Sequence, residues 1–122
     1  MTKTPINSSP RSDCPIACSL DVLGDKWTLL IIRDLIYGKH RFADFEASVE
    51  QIPTNTLSDR LRRMEESNVV EKLQYAQKPP RFEYHLTAKG KALLPVLQEL
   101  CLWGIKHMPG TSVPSCPFGT GA

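Results

Sequence analysis

Five cations stand out by their spacing: Arg60, Arg62 and Arg63 fall within four residues, and Lys78 and Arg81 bracket the Pro79-Pro80 pair. Guanidinium and ammonium groups gathered this way suit phosphate, whose charge they neutralise and whose oxygens accept their hydrogen bonds. A charge run is also what an ordinary solvated face carries, so these cations need elements that would aim them. Thiols are the second reactive type, at Cys14, Cys18, Cys101 and Cys116. Met1 to Asp13 lacks the charged-then-apolar order of a secretory leader, so reduced thiols are expected rather than disulfides. The Cys14-x3-Cys18 pair has no second pair nearby and His40, His85 and His107 stand singly, so no metal site is expected. There is no Gly-rich phosphate loop and no carboxylate pair with a supporting histidine, so neither catalytic residues nor a cofactor are expected.

Composition sets the outer bounds. A chain of 122 residues with 41% hydrophobic and 23% charged content fits one water-soluble domain with one core. No apolar run approaches the roughly 18 residues that a bilayer requires, so no membrane partner is expected and the cytoplasm is the default location. The net charge of +2 is too small to identify a nucleic-acid partner by itself. Residues 1–13 carry Pro5, Pro10 and three serines and read as a flexible arm; residues 108–122 are rich in Pro and Gly and read as a loose tail. The domain is expected over residues 14–107.

Within it, Pro15 suits the first turn of a helix whose apolar positions Ile16, Leu20 and Leu23 run up to Gly24. Asp25 suits the N-cap of a second helix, Lys26 to about Tyr37, closed by Gly38. A short strand at Arg41 and Phe42 precedes a brief helix, Ala43 to Val49. Pro53 and Thr54 open the next helix, with Leu57, Leu61 and Met64 on its inner face. Val69 to Tyr75 and Phe82 to Leu86 read as strands of a hairpin joined by residues 76–80. Thr87 then caps a long helix to about His107, kinked at Pro95. The expected fold is mainly α with a small β-hairpin (α+β), a winged helix-turn-helix with further helices at both ends.

That order aims the cations. With Leu57, Leu61 and Met64 turned inward, the helix after Pro53 shows its polar residues to the outside or along its flanks. Base contacts come mostly from the start of such a helix and phosphate contacts from its later turns. Asn55 suits adenine, Thr56 a thymine methyl and Arg60 guanine, while Arg62 and Arg63 suit phosphates. Arg41, Thr54, Ser58 and Asp59 complete the candidate DNA-binding set with Lys78 and Arg81 of the wing, and the partner is double-stranded DNA.

The same residues carry a family resemblance. Cys14-Pro15-Ile16, Gly24-Asp25-Lys26-Trp27, Arg41-Phe42, Leu57-Ser58-Asp59-Arg60-Leu61, Pro79-Pro80-Arg81-Phe82-Glu83-Tyr84, Leu86-Thr87, Gly90, Pro95-Val96-Leu97 and Trp103-Gly104 stand in the order and spacing of that family. The chain resembles the HxlR-type regulators, bacterial and archaeal relatives of the MarR-type winged-helix proteins. The resemblance implies a homodimer built through the first and last helices, with two recognition helices set for a palindromic operator. Ile16, Leu20, Leu94, Leu97, Leu100, Cys101 and Trp103 are the candidate interface, more apolar surface than a small domain needs for its own core. Two departures stand out: Asp25 occupies a position commonly glycine, and Pro53-Thr54-Asn55 replaces a commoner Ser-containing start. The second falls where base preference is set, so the operator sequence does not carry over.

Some members of that family sense oxidants or electrophiles through a cysteine placed like Cys14. Its position at a helix N-cap favours the thiolate, although the neighbouring Asp13 opposes it. Cys18, Cys101 and Cys116 are all open as resolving partners. The expected activity is that of a DNA-binding regulator whose inducer is an oxidant, an electrophile or another small molecule. Two alternatives are a ligand-responsive regulator without thiol sensing and a winged-helix protein-interaction module.

Overall fold

A computed structural model describes residues 12–111. Most of the expected arm and tail, Cys116 included, lies outside the described residues. Helix α1 (Pro15–Leu23) has its proline in the first turn as expected and buries none of its residues. Helix α2 (Thr28–Ile36) begins two residues later than expected. The Asp25 carboxylate accepts the Trp27 and Thr28 N–H groups at 2.7 and 2.9 Å and the Thr28 hydroxyl at 2.6 Å. Residues 25–27 are thereby held as a bend, and the helix starts only after it. Gly38 ends α2 with φ +96°, a left-handed conformation that glycine adopts without strain.

The strand expected at Arg41 and Phe42 is absent. Asp44 accepts the Arg41 N–H at 3.2 Å, and the chain turns directly into α3 (Phe42–Glu46) instead of reaching Val49. What remains of the sheet-like contact is one backbone bond, Tyr84 N–H to the His40 carbonyl at 2.8 Å. Helix α4 (Thr54–Glu66) follows with Pro53 at its N-cap and Leu57, Leu61 and Met64 buried, as the spacing predicts. Asn68, at φ 62°, turns the chain out of α4; asparagine tolerates that region better than most side chains.

Strands β1 (Val70–Gln77) and β2 (Pro80–Leu86) pair antiparallel from Val70 opposite Leu86 to Gln77 opposite Pro80, with an irregularity between Gln74 and Ala76. The ladder runs further toward the tip than expected, leaving only Lys78 and Pro79, joined by a cis peptide bond, between the strands. The expected long last helix is two. Helix α5 (Ala88–Lys91) is capped by the Thr87 hydroxyl, and α6 (Leu94–His107) carries Pro95 in its first turn. A proline lacking its N–H is tolerated there, so Pro95 opens a helix instead of kinking one.

The core gathers Ile31, Ile32, Leu35, Phe45, Ile52, Leu57, Leu61, Met64, Val69, Val70 and Leu97 from α2, α3, α4, the wing base and α6. Each such side chain contributes roughly 1.5–3 kcal/mol by leaving water. The result is a winged helix-turn-helix, mixed α and β, with α3 and α4 as its two helices and the β1–β2 hairpin as its wing. A knot of polar contacts closes it. Thr87 Oγ1 donates to the Asn68 carbonyl at 2.6 Å, Thr87 N–H to the Val69 carbonyl at 3.1 Å, and Lys89 Nζ to the Ser67 carbonyl at 2.7 Å. Gly90 belongs to this knot because a Cβ there would stand 2.2 Å from the Val69 oxygen.

Candidate nucleic-acid interface

Two ion networks fix the helix-turn-helix before any ligand is considered. Arg33 of α2 makes a two-pronged contact with Glu50 at 2.8 Å on each prong and also bonds Asp34, which is buried and accepts the Ser48 hydroxyl. The turn between α3 and α4 is thus tied to α2. Hydrogen bonding to Arg33 holds the Glu50 carboxyl below its ordinary range against the opposing effect of burial. The second network joins α2 to α4. Arg60 Nε lies 3.2 Å from Asp25 Oδ1, a charge contact without hydrogen-bond alignment. Burial raises the Asp25 carboxyl, but hydrogen bonds from Thr28 and Trp27, with the Arg60 guanidinium beside it, outweigh that effect and hold the group low.

The exposed edge of the domain combines α3, the start of α4 and the wing. Thr54 Oγ1 donates to Glu46 at 2.9 Å, and Glu46 shares a groove of about 550 Å³ with Arg41, Tyr75, Arg81 and Phe82. The beginning of α4 and the side of the wing are therefore parts of one face. Asn55 and Ser58 are exposed and Thr56 half-buried, and no other group among the described residues holds their side chains. Arg41 is positioned more firmly than its place in a loop suggests. Its guanidinium lies 4.0 Å over the Tyr75 ring and its Nε donates to Glu83 at 3.1 Å. Glu83 also accepts from His85 at 3.1 Å, and His85 stacks on His40 at 4.1 Å. His40 in turn donates Nδ1–H to the Tyr84 carbonyl at 3.0 Å. His85 and Arg41 together hold the Glu83 carboxyl below its ordinary range.

The cations of α4 and those of the wing differ. Asp59 meets all three arginines of α4: Arg60 and Arg62 at 2.5 Å, Arg63 at 3.1 Å. Arg62 also pairs with Glu66 at 3.3 Å. Lys78 and Arg81 are exposed and make no ion pair among the described residues. Arg60 departs from its expected base-reading place. Its side chain is only 21% exposed and points into the α2–α4 junction, between Asp25 and Asp59.

Sequence reasoning missed Glu46, Tyr75, Glu83, His40 and His85 as supports of this face. The alternation of Tyr75 and Glu83 on paired strands opposite a loop cation was their available signal.

A second region, α1 with α6, carries the apolar surface. Ile16 is 71% exposed, Trp103 57%, Leu100 51% and Leu20 50%, and Val96 and Leu102, absent from the expected set, are exposed too. Leu97 and Cys101 correct the expectation: both are buried in the monomer, Leu97 within the core itself. Leu94 is half-buried. Cys101 corrects a second expectation, since it is disulfide-bonded and not a reduced thiol. Cys14 and Cys18 are free, Cys14 is exposed, and Cys18 Sγ lies 3.3 Å from the Ser12 carbonyl. Cys14 occupies the N-cap position of α1, but its side chain makes no capping bond. No helix among the described residues is long and apolar enough to cross a membrane.

Comparison with known proteins places these features in a wider set. Residues 22–112 match the family model described as HxlR-like helix-turn-helix. An uncharacterised helix-turn-helix-type transcriptional regulator of Halalkalibacterium halodurans is 38% identical over 96 residues, covering 78% of this chain and 85% of the relative. The regulator YdeP of Bacillus subtilis is 37% identical over 101 residues, covering 83% of this chain and 79% of the relative. Among solved structures, the redox regulator HypR in its reduced form superposes with a TM-score of 0.73 at 33% identity, covering 79% of this chain and 95% of that one. The reduced form of the transcriptional regulator YodB from Bacillus subtilis gives 0.67 at 30% identity, covering 83% of this chain and 100% of that one.

Proposed function

The chain belongs to the HxlR-like helix-turn-helix family of DNA-binding transcription regulators, and we propose that it works as a homodimer on a palindromic operator. The observation that carries the reading is the continuous face on which Glu46 joins the start of α4 to Arg41 and Arg81. A helix start presented beside wing cations fits one major groove and its flanking phosphates. Asn55, Thr56 and Ser58 read base edges, Thr54 stands beside them on its bond to Glu46, and Arg41, Arg62, Arg63, Lys78 and Arg81 meet phosphates. Arg60 has a structural share, holding α4 against α2 through Asp25. The functional unit is one domain over residues 14–107, acting on the chromosome in the cytoplasm.

The dimer reading rests on Ile16 and Leu20 of α1 and Leu100 and Trp103 of α6, with Leu94 at the edge and Val96 and Leu102 added. Helix α1 packs only Val22 and Leu23 of its last turn against the core and leaves Ile16 and Leu20 exposed, an apolar stripe that a partner would cover. Leu97 and Cys101 support that face from beneath. The inducing signal is an oxidant or electrophile acting at the exposed Cys14, a reading supported by the likeness to HypR and by the position of the thiol at a helix start. The alternatives are a small-molecule ligand and a protein-binding module. Mobility-shift titration of bound genomic fragments, with and without oxidant, tests all three. The expected result is binding by the dimer that weakens on oxidation in the wild type and not in Cys14→Ser. Equal loss in both proteins sinks the thiol reading, and absence of salt-dependent binding to any duplex sinks the DNA reading.

A further inference from the structure

We infer that Asp59 is a positioning residue that holds the arginines of α4 away from phosphate, so that the recognition helix engages only DNA able to displace it. The inference rests on the DNA-binding reading and changes the part of one residue within it. One carboxylate meets three guanidinium groups: Oδ1 takes Arg62, and Oδ2 takes Arg60 and Arg63. The spacing explains the geometry, since residues three and four apart share a helix face, which places Arg62 and Arg63 beside Asp59. Arg60 reaches it from the adjoining position while its Nε faces Asp25.

The charge balance of the helix gives this contact its consequence. Thr54–Glu66 contains three arginines and three acids (Asp59, Glu65 and Glu66), so α4 is electrically neutral as a unit. Non-specific affinity for duplex DNA comes from net cationic charge and the counterions it displaces. A neutral recognition helix contributes little to it, and the free cations Lys78 and Arg81 carry the encounter instead. Exposed pairs such as Arg62–Asp59 are weak, and a correctly placed phosphate oxygen can take over the guanidinium. A phosphate out of register meets an arginine still turned toward Asp59. The carboxylate therefore suppresses binding to wrong sites more than to the right one, which is specificity through a competing contact.

The test compares the full-length protein with Asp59→Asn on a mixed-sequence duplex of about three helical turns, titrating affinity against salt. Asp59→Asn is expected to bind about tenfold tighter at low salt, with a log–log salt slope steeper by about 1. Introducing Asp59→Asn into a protein already carrying Arg62→Gln and Arg63→Gln should recover only a small part of that gain, because the groups it releases are gone. Glu66→Gln, which relieves Arg62 alone, should gain less than Asp59→Asn, and it keeps the test open if Asp59→Asn folds poorly by thermal melting. Wild-type binding with no gain in Asp59→Asn overturns the inference alone. So does an equal gain in both backgrounds, which would mark simple long-range repulsion, or a gain from Glu66→Gln as large as that from Asp59→Asn. Absent or salt-independent binding by every variant overturns both the inference and the DNA-binding reading.

Discussion

The wing and the recognition helix carry their cations in opposite ways. At the wing, Lys78 and Arg81 are exposed and no carboxylate among the described residues holds them. On α4, Arg60, Arg62 and Arg63 all lean on Asp59, and two of them touch a second acid. Free charge acts at a distance and without regard to register. Charge held by a neighbour acts only at contact, once something better placed has taken it over. On the proposed reading, one domain separates attraction to DNA from discrimination along it.

The strongest way to break this comparison is at the wing. Replacing Lys78 and Arg81 together by glutamine should reduce the salt slope by about 2 and lower low-salt affinity roughly a hundredfold. A loss no larger than that of Arg62→Gln would remove the distinction. Arg62→Gln itself should reduce the slope by somewhat less than about 1, because part of its charge is already spent on Asp59 and Glu66.

Arg60→Gln tests the exception within α4. Its main effect should be on folding, about 1–2 kcal/mol, seen as a melting temperature lower by several degrees. A large affinity loss at unchanged melting temperature would return Arg60 to base reading. The smallest effect concerns pH. The folded-state Asp25 carboxyl sits below its ordinary value of 3.8, so its stabilisation is complete above that value and fades as pH falls through the lower folded one. Wild type should lose roughly 0.5 kcal/mol more than Asp25→Asn between neutral pH and pH 3; parallel melting curves would show that the α2–α4 contact is idle.

Much of this was legible from spacing alone. Leu57, Leu61 and Met64 lie inward as their period predicts, Gly38 ends α2, and the hairpin stands between α4 and the last helices. The failures share a cause: periodicity reports which face is apolar, not what lies opposite it. Leu97 and Cys101 belong to one stripe of α6, and Val96, Leu100 and Trp103 to another at the same helical spacing. Only the packing shows that the first faces the core and the second does not. The lost strand at Arg41 and the divided last helix turned on local competition, an Asp44 carboxylate taking a backbone N–H and a proline opening a helix. The charge network of α4 was hidden for a further reason. Three arginines near an aspartate read as surface charge until rotamers assign them to it.

The knot at Ser67–Val69 and Thr87–Gly90 has a mechanical meaning. The end of the reading helix, the root of the wing and the first turn of α5 meet there through short bonds, with no room for even a methyl group at Gly90. So closely packed a joint leaves little room for the wing and the helix to move independently of one another. In the proposed dimer, the adjustable quantity would be the separation and tilt of the two reading heads. On that proposal, a signal arriving at α1 or α6 would work like a change of gauge on a track, leaving each wheel intact while the two no longer fit the rails.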